Sequence, residues 1–190
     1  LDGGRLRTAH EASPGTDPSR ICCQSLRSMI TDITKAEVLT WLEEVKDPEI
    51  PVLSLVDLGV ITEITFDDAV LKIEMTPTFT GCPALDIMKE EILAVVHQHG
   101  IDRAEIIVSY KEPWTSDKIS EKGRVALKKF GLAPPASSVV ISDLDILEHV
   151  PCPRCDGTHT ELKNAFGPTL CRSIHYCLDC QEAFEQFKPL

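Results

Sequence analysis

The chain has no apolar run approaching the roughly 18 to 20 residues that a membrane-spanning helix needs, and its first residues carry no apolar stretch of the kind a secretory signal requires. A cytoplasmic location is therefore expected. An excess of basic charge is also missing, since 19 Lys and Arg stand against 30 Asp and Glu, for a formal net charge of -11. A groove that tracks phosphates needs the opposite sign, so nucleic acid is not an expected partner. There is no GxSxG elbow, and His97 and His99 sit at a helix end with no nucleophile beside them, so no catalytic triad can be assembled and both read as surface residues. The absence of a phosphate-cradling glycine loop argues against a nucleotide hydrolase.

What is present suits one or two domains: 190 residues, of which 43% are hydrophobic, can build a packed core. Eight cysteines in a reducing compartment are read as metal or thiol chemistry before disulfides. Residues 1–28 hold Gly, Pro, Ser, Arg and His without periodicity, with Met29 just beyond. The stretch 1–33 is expected to be disordered or a start-site extension, with Cys22 and Cys23 as bystanders.

Further along, Thr34 and Glu37 form a capping box, and Val38, Leu42 and Val45 recur at helical spacing, which predicts a helix to about Lys46. The segment DPEIPVLSLVDLGV carries two prolines and a late glycine and reads as a shaped loop ending near Gly59. Val60, Ile61, Ile64 and Phe66, then Val70, Leu71, Ile73 and Met75, are two alternating runs split by Asp67 and Asp68, as in a hairpin. Pro83 opens a periodic stretch from Leu85 to Val96 that stops at Gly100. Ile106 to Val108 supply a third strand, and a last helix runs from about Ser120 to Gly131. The class expected is α+β: a small two-layer α/β domain of order αββαβα over residues 34–135 that ends on Pro134 and Pro135, a linker over 136–147, and a β-rich four-cysteine zinc ribbon over 148–190.

The ribbon rests on two CxxC knuckles, Cys152 with Cys155 and Cys177 with Cys180, separated by 21 residues. Each knuckle sets two thiolates on one side of a turn, and together they complete the four soft ligands of tetrahedral zinc. Four protein ligands leave no position for a catalytic water, so the site reads as structural, and so small a module needs such a staple. A rubredoxin-like iron site uses similar knuckles and stays open. Cys171, His159 and His175 lie between the knuckles as substitute ligands. From Pro151 onward the charge is slightly acidic, so a protein partner fits this module better than nucleic acid.

Cys82 stands apart, between Gly81 and Pro83. At or beside a helix N-terminus, exposed amides and the helix dipole would lower its pKa. Gly81 would allow close backbone approach, Thr78 and Thr80 add hydroxyls, and Asp47, Glu49 and Asp57 could flank the same face. A buried, inert cysteine completing the core is the other reading.

The stretches DPEIPVLSLVDLGVI, TPTFTGCPA and GLAPP resemble the small domain of SufT-like metal-sulfur cluster assembly factors over about residues 34–135. With the ribbon and its FGPTLC and EAFEQFK stretches, the whole chain resembles the D-subunit family of phenylacetyl-CoA epoxidase (phenylacetate-CoA oxygenase), called PaaD or PaaJ. The resemblance implies an accessory role in aerobic phenylacetate degradation, where a di-iron oxygenase epoxidises the ring of phenylacetyl-CoA and an iron-sulfur flavin reductase supplies electrons. The chain lacks the carboxylate and Glu-x-x-His pairs of a di-iron bundle and any flavin or nicotinamide fingerprint, so it is not expected to be an enzyme by itself. In the family, the cysteine matching Cys82 is the candidate for transient handling of an iron-sulfur cluster or iron. The acidic loop matching Asp47, Glu49 and Asp57 lies near it, and Thr80 and Gly81 adjoin it. The implied partners are the oxygenase and the reductase. A purely structural subunit, a rubredoxin-like electron carrier and a homodimer remain open. With a single reactive cysteine, any cluster would take further ligands from another subunit or partner.

Overall fold

The computed structural model describes residues 33–67, 70–135 and 150–189. The expectations for residues 1–32, with Cys22 and Cys23, and for the 136–147 linker lie outside the described residues. Helix α1 (Lys35–Leu42) opens on the expected capping box: the Glu37 amide donates to the Thr34 hydroxyl at 3.2 Å, and the Thr34 amide donates to the Glu37 carboxylate at 2.8 Å. It buries Val38 and Leu42 and stops there, short of Lys46, because Lys46 and Asp47 form strand β1.

The expected loop between Asp47 and Gly59 is more regular than its two prolines suggest. Strand β2 (Ile50–Ser54) pairs antiparallel with β1 and runs into a one-turn helix, α2 (Leu55–Leu58). Ile50, Leu53, Leu55 and Leu58 are all essentially buried, and at about 1.5–3 kcal/mol for each such side chain their burial outweighs the weak local preference of the prolines. The Ser54 hydroxyl caps α2 by accepting from the Asp57 amide at 2.9 Å. Gly59 closes the turn at φ +73, and a Cβ there would lie 2.3 Å from the Lys118 carbonyl oxygen, so only glycine fits.

Strands β3 (Ile61–Asp67) and β4 (Val70–Met75) make the expected hairpin, with Ile64 opposite Ile73. Helix α3 (Leu85–Gln98) crosses over to β5 (Ala104–Val108), which lies parallel to β4. Leu71, Ile73 and Met75 alternate inward from β4 and meet Ile92 and Val96 of α3 in the main core. Helix α4 (Glu121–Phe130) has the expected bounds, with Ser120 capping its start and Gly131 at φ +92 ending it. The order αββαβα thus stands as the frame, with β1, β2 and α2 inserted between its first two elements.

Strands β7 (Thr160–Asn164), β8 (Arg172–Cys177) and β9 (Ala183–Phe187) form the ribbon. Its sheet has a fourth member, β6 (Leu132–Ala133), which precedes the expected linker and pairs parallel with β9. Phe187, at the end of β9, belongs to the main core and meets Trp114 edge-on with centroids 5.8 Å apart. The Trp114 indole in turn donates to the Leu58 carbonyl at 3.0 Å. The described residues between 33 and 189 accordingly form one compact unit. Among the described residues, no helix is long and apolar enough to cross a membrane.

Candidate functional site

Two sulfur sites stand out. In the ribbon, the Sγ atoms of Cys152, Cys155, Cys177 and Cys180 all lie within 4.8 Å of one another. Cys152 and Cys180 are 3.7 Å apart, and Cys155 and Cys177 are 3.6 Å apart. Zinc–sulfur bonds of about 2.3 Å in a tetrahedron place sulfurs about 3.8 Å apart, so the set fits zinc. Cys152 and Cys177 are buried, and the knuckle backbone serves the sulfurs: the Gly157 amide donates to Cys155 Sγ at 3.4 Å, and the amides of Cys180 and Asp179 help bring Cys177 down to about 7. These four residues would hold the ion and would supply structure, not reactivity. The substitutes lie elsewhere. His159 Nδ1 sits 2.8 Å from the Asp179 carboxylate on the exposed face of the second knuckle. His175 is buried, stacked on Phe184 and within 2.9 Å of the Ser173 hydroxyl, and burial pushes its pKa below the usual imidazole range. Cys171 belongs to the other site.

That second site is a cleft of about 260 Å³ where the α/β portion meets the ribbon. One wall carries Asp47, Glu49 and Ile50; another carries Thr78, Phe79, Cys82 and Pro83 from the loop before α3; the third is the β7–β8 loop from Gly167 to Cys171, with Phe187 behind. Asp47 is buried, and its Oδ1 accepts the amides of Glu49 at 2.8 Å and Ile50 at 2.9 Å, which fixes the acidic turn. Burial raises its pKa, and these two bonds oppose the rise. Cys171 Sγ lies 3.7 Å from Glu49 Oε2 and 3.1 Å from Thr169 Oγ1.

The expectation of a lowered Cys82 pKa is corrected. Helix α3 begins at Leu85 with Ala84 as its N-cap, so Cys82 precedes the cap by two residues. Burial pushes its thiol up, the Ala84 and Leu85 amides pull the other way, and the Glu49 and Asp47 carboxylates add to the rise. Cys171 is raised in the same way, by burial first and by Glu49 and Asp47 as well.

The remaining candidates separate from the cleft. Asp57 does not line it: its carboxylate accepts the Ser54 and Ser120 hydroxyls, each at 2.7 Å, and meets Lys122 Nζ at 3.3 Å, tying α2 to the start of α4. Burial would raise its pKa, but these partners hold it below the usual carboxylate range. Thr80 and Gly81 are exposed and do not line the cleft. Gly81 is needed for its φ of +84, since a Cβ there would meet nothing within 4 Å. Cys171 is the residue that spacing does not single out; the one local hint is its place in FGPTLC.

An α/β core of the cluster-assembly type joined to a four-thiol β ribbon defines the class. Residues 35–106 match the family described as iron-sulfur cluster assembly protein, and residues 137–188 match the PaaD zinc beta ribbon domain. A protein of Escherichia coli (strain K12), provisionally named as the D-subunit of 1,2-phenylacetyl-CoA epoxidase, is 34% identical over 152 residues, which cover 80% of this chain and 91% of that protein. The Fe-S protein maturation auxiliary factor YitW of Bacillus subtilis (strain 168) is 34% identical over 95 residues, covering 49% of this chain and 92% of its own length. A crystal structure of a domain of unknown function, DUF59, from Bacillus anthracis covers 49% of this chain and 90% of that one, at 27% identity and a TM-score of 0.46. The chain belongs to the PaaD family, the D-subunit family of phenylacetyl-CoA epoxidase.

Proposed function

We propose that this chain is an accessory subunit of a phenylacetyl-CoA epoxidase system, not itself catalytic, that assists delivery of iron or an iron-sulfur cluster to the di-iron oxygenase or to the iron-sulfur flavin reductase. The observation that carries the reading is the position of Cys82: it lies in the domain that matches iron-sulfur assembly proteins, and it lines a cleft closed on its far side by the ribbon. A thiol at the mouth of an acidic cleft suits transient holding of a soft cation. The four-thiol site, by holding zinc, would fix the ribbon as the third wall and as a surface for the partner. In cells that make the oxygenase and reductase with the Cys82→Ala chain as the sole copy, iron and sulfide per partner should fall while this chain keeps its folding and zinc. A fully loaded, active partner under those conditions would refute the reading.

A further inference from the structure

We propose that Cys82 and Cys171 together form one two-thiolate site for iron, with the Glu49 carboxylate as a third ligand. The site thus spans the assembly-type domain and the ribbon. The choice of iron as cargo rests on the function proposed above; the existence of the site rests on the cleft itself.

Both thiols are free and partly buried, and both line the same cavity. Glu49 Oε2 is already 3.7 Å from Cys171 Sγ, and Glu49 lies close enough to Cys82 for its charge to raise that thiol's pKa. The wall holding Cys171 is fixed against the acidic turn. Arg172, the next residue, donates from Nη2 to the Glu49 carbonyl at 2.6 Å and from Nη1 to the Glu185 carboxylate at 2.9 Å, while the Lys188 amide donates to the Cys171 carbonyl at 2.9 Å. Asp47, already accepting two amides, is a positioning residue for Glu49.

Two thiolates and a carboxylate facing one cavity repel one another unless a cation joins them, and sulfur-rich sets favour thiophilic metals over magnesium or calcium. At about 260 Å³, the cleft holds roughly eight waters' worth of space at about 30 Å³ each. That is enough for a hydrated ion or a small sulfide cluster, with one side left for a recipient's ligand. Binding displaces the two thiol protons to solvent as two iron–sulfur bonds form. No electron is transferred, and ferrous iron stays ferrous.

The zinc-loaded full chain, titrated with Co²⁺ without oxygen, reports the site through the thiolate-to-cobalt absorption band, with zinc measured in the same samples to exclude exchange. The wild type should take about one Co²⁺ beyond its zinc. Cys82→Ser and Cys171→Ser should each weaken binding at least about tenfold and reduce the band by about half. If Cys171→Ser binds like the wild type while Cys82→Ser does not, the two-thiol site is overturned and Cys82 alone remains a candidate. No binding by the wild type, or binding that neither variant changes, overturns it outright.

Because a serine variant could fold poorly, the unsubstituted chain gives a second readout. Iodoacetamide labelling of Cys82 and Cys171, mapped by peptide mass, should fall together on adding Fe²⁺, or Fe²⁺ with sulfide. The first arm assigns an ion and the second a cluster. Protection of Cys82 alone, or of neither residue in either arm, overturns the site. Partner loading in cells is a separate measurement: a loaded partner beside Cys82→Ala removes the proposed function and leaves untouched the Co²⁺ site of the wild-type chain.

Discussion

The two sulfur sites among the described residues are built on opposite plans. In the ribbon, four thiols from two local turns are gathered within 4.8 Å, with backbone amides pointed at them. In the cleft, two thiols 89 residues apart in sequence face carboxylates that favour the protonated form of both. The first is complete without a partner and is suited to permanent occupancy. The second is open to one side and electrostatically averse to its own ionisation, which suits the release of cargo that the proposed function calls for.

The sharpest break in this contrast comes from the ribbon. Cys152→Ser should abolish stoichiometric zinc and unfold the ribbon, since structural zinc binding is worth on the order of 10 kcal/mol and is itself folding free energy. Cys82→Ser should keep both zinc and melting midpoint. Elemental analysis and thermal melting decide it, and retained zinc in the ribbon variant would overturn the four-thiol assignment. A red, redox-active wild type would replace zinc there with iron.

Phe187→Ala tests whether the cleft depends on the ribbon's placement. Emptying this core position should cost about 3–5 kcal/mol in urea unfolding. It should also speed alkylation of Cys82 and Cys171 while zinc content stays normal. Slow alkylation would mean that the cleft stands without its rear wall.

Asp57→Asn is expected to separate the acidic residues into two groups. Its carboxylate is held below the usual range, so its stabilising bonds are present above the unfolded carboxylate pKa and are lost as pH falls through the folded value. The variant should lose about 1–3 kcal/mol at neutral pH, with the gap to wild type closing in acid, and Cys82 reactivity should not change. A gap that persists unchanged in acid would remove the carboxylate from the account.

The smallest effect is expected for Glu49→Gln. The Glu49 charge raises the pKa of both cleft thiols, so its removal should make iodoacetamide labelling at about pH 7.5 faster at Cys82 and Cys171 alike. Unaltered rates at both cysteines would show that the carboxylate does not govern them.

The ribbon site was legible in the sequence because its determinants are local: two CxxC turns need only a hairpin between them. The Thr34 cap, the β3–β4 hairpin and the Ser120-to-Gly131 helix were legible for the same reason. The segment from Asp47 to Gly59 was harder to read, since Pro48 and Pro51 mark a loop locally while Ile50, Leu53, Leu55 and Leu58 are ordered by a core assembled from elsewhere. Cys82 could be singled out by its flanks, but the sign of its pKa shift could not. That sign depends on how deeply the loop is buried and on which acids face it. Cys171 was read only as a spare ligand for the knuckles, because its meeting with Glu49 spans 122 residues and leaves no periodic trace.

The pairing of β6 with β9 also bears on the order of folding. Leu132 meets Glu185, and Phe187 then fills the space beside Trp114, so the main core is finished by a segment more than fifty residues downstream of its last helix. Such non-local closure is slow, and the strand that makes it, β9, pairs with β8, which ends in the second knuckle. Metal capture by the ribbon would then act as a folding checkpoint, holding the cleft unfinished until the ribbon has its ion.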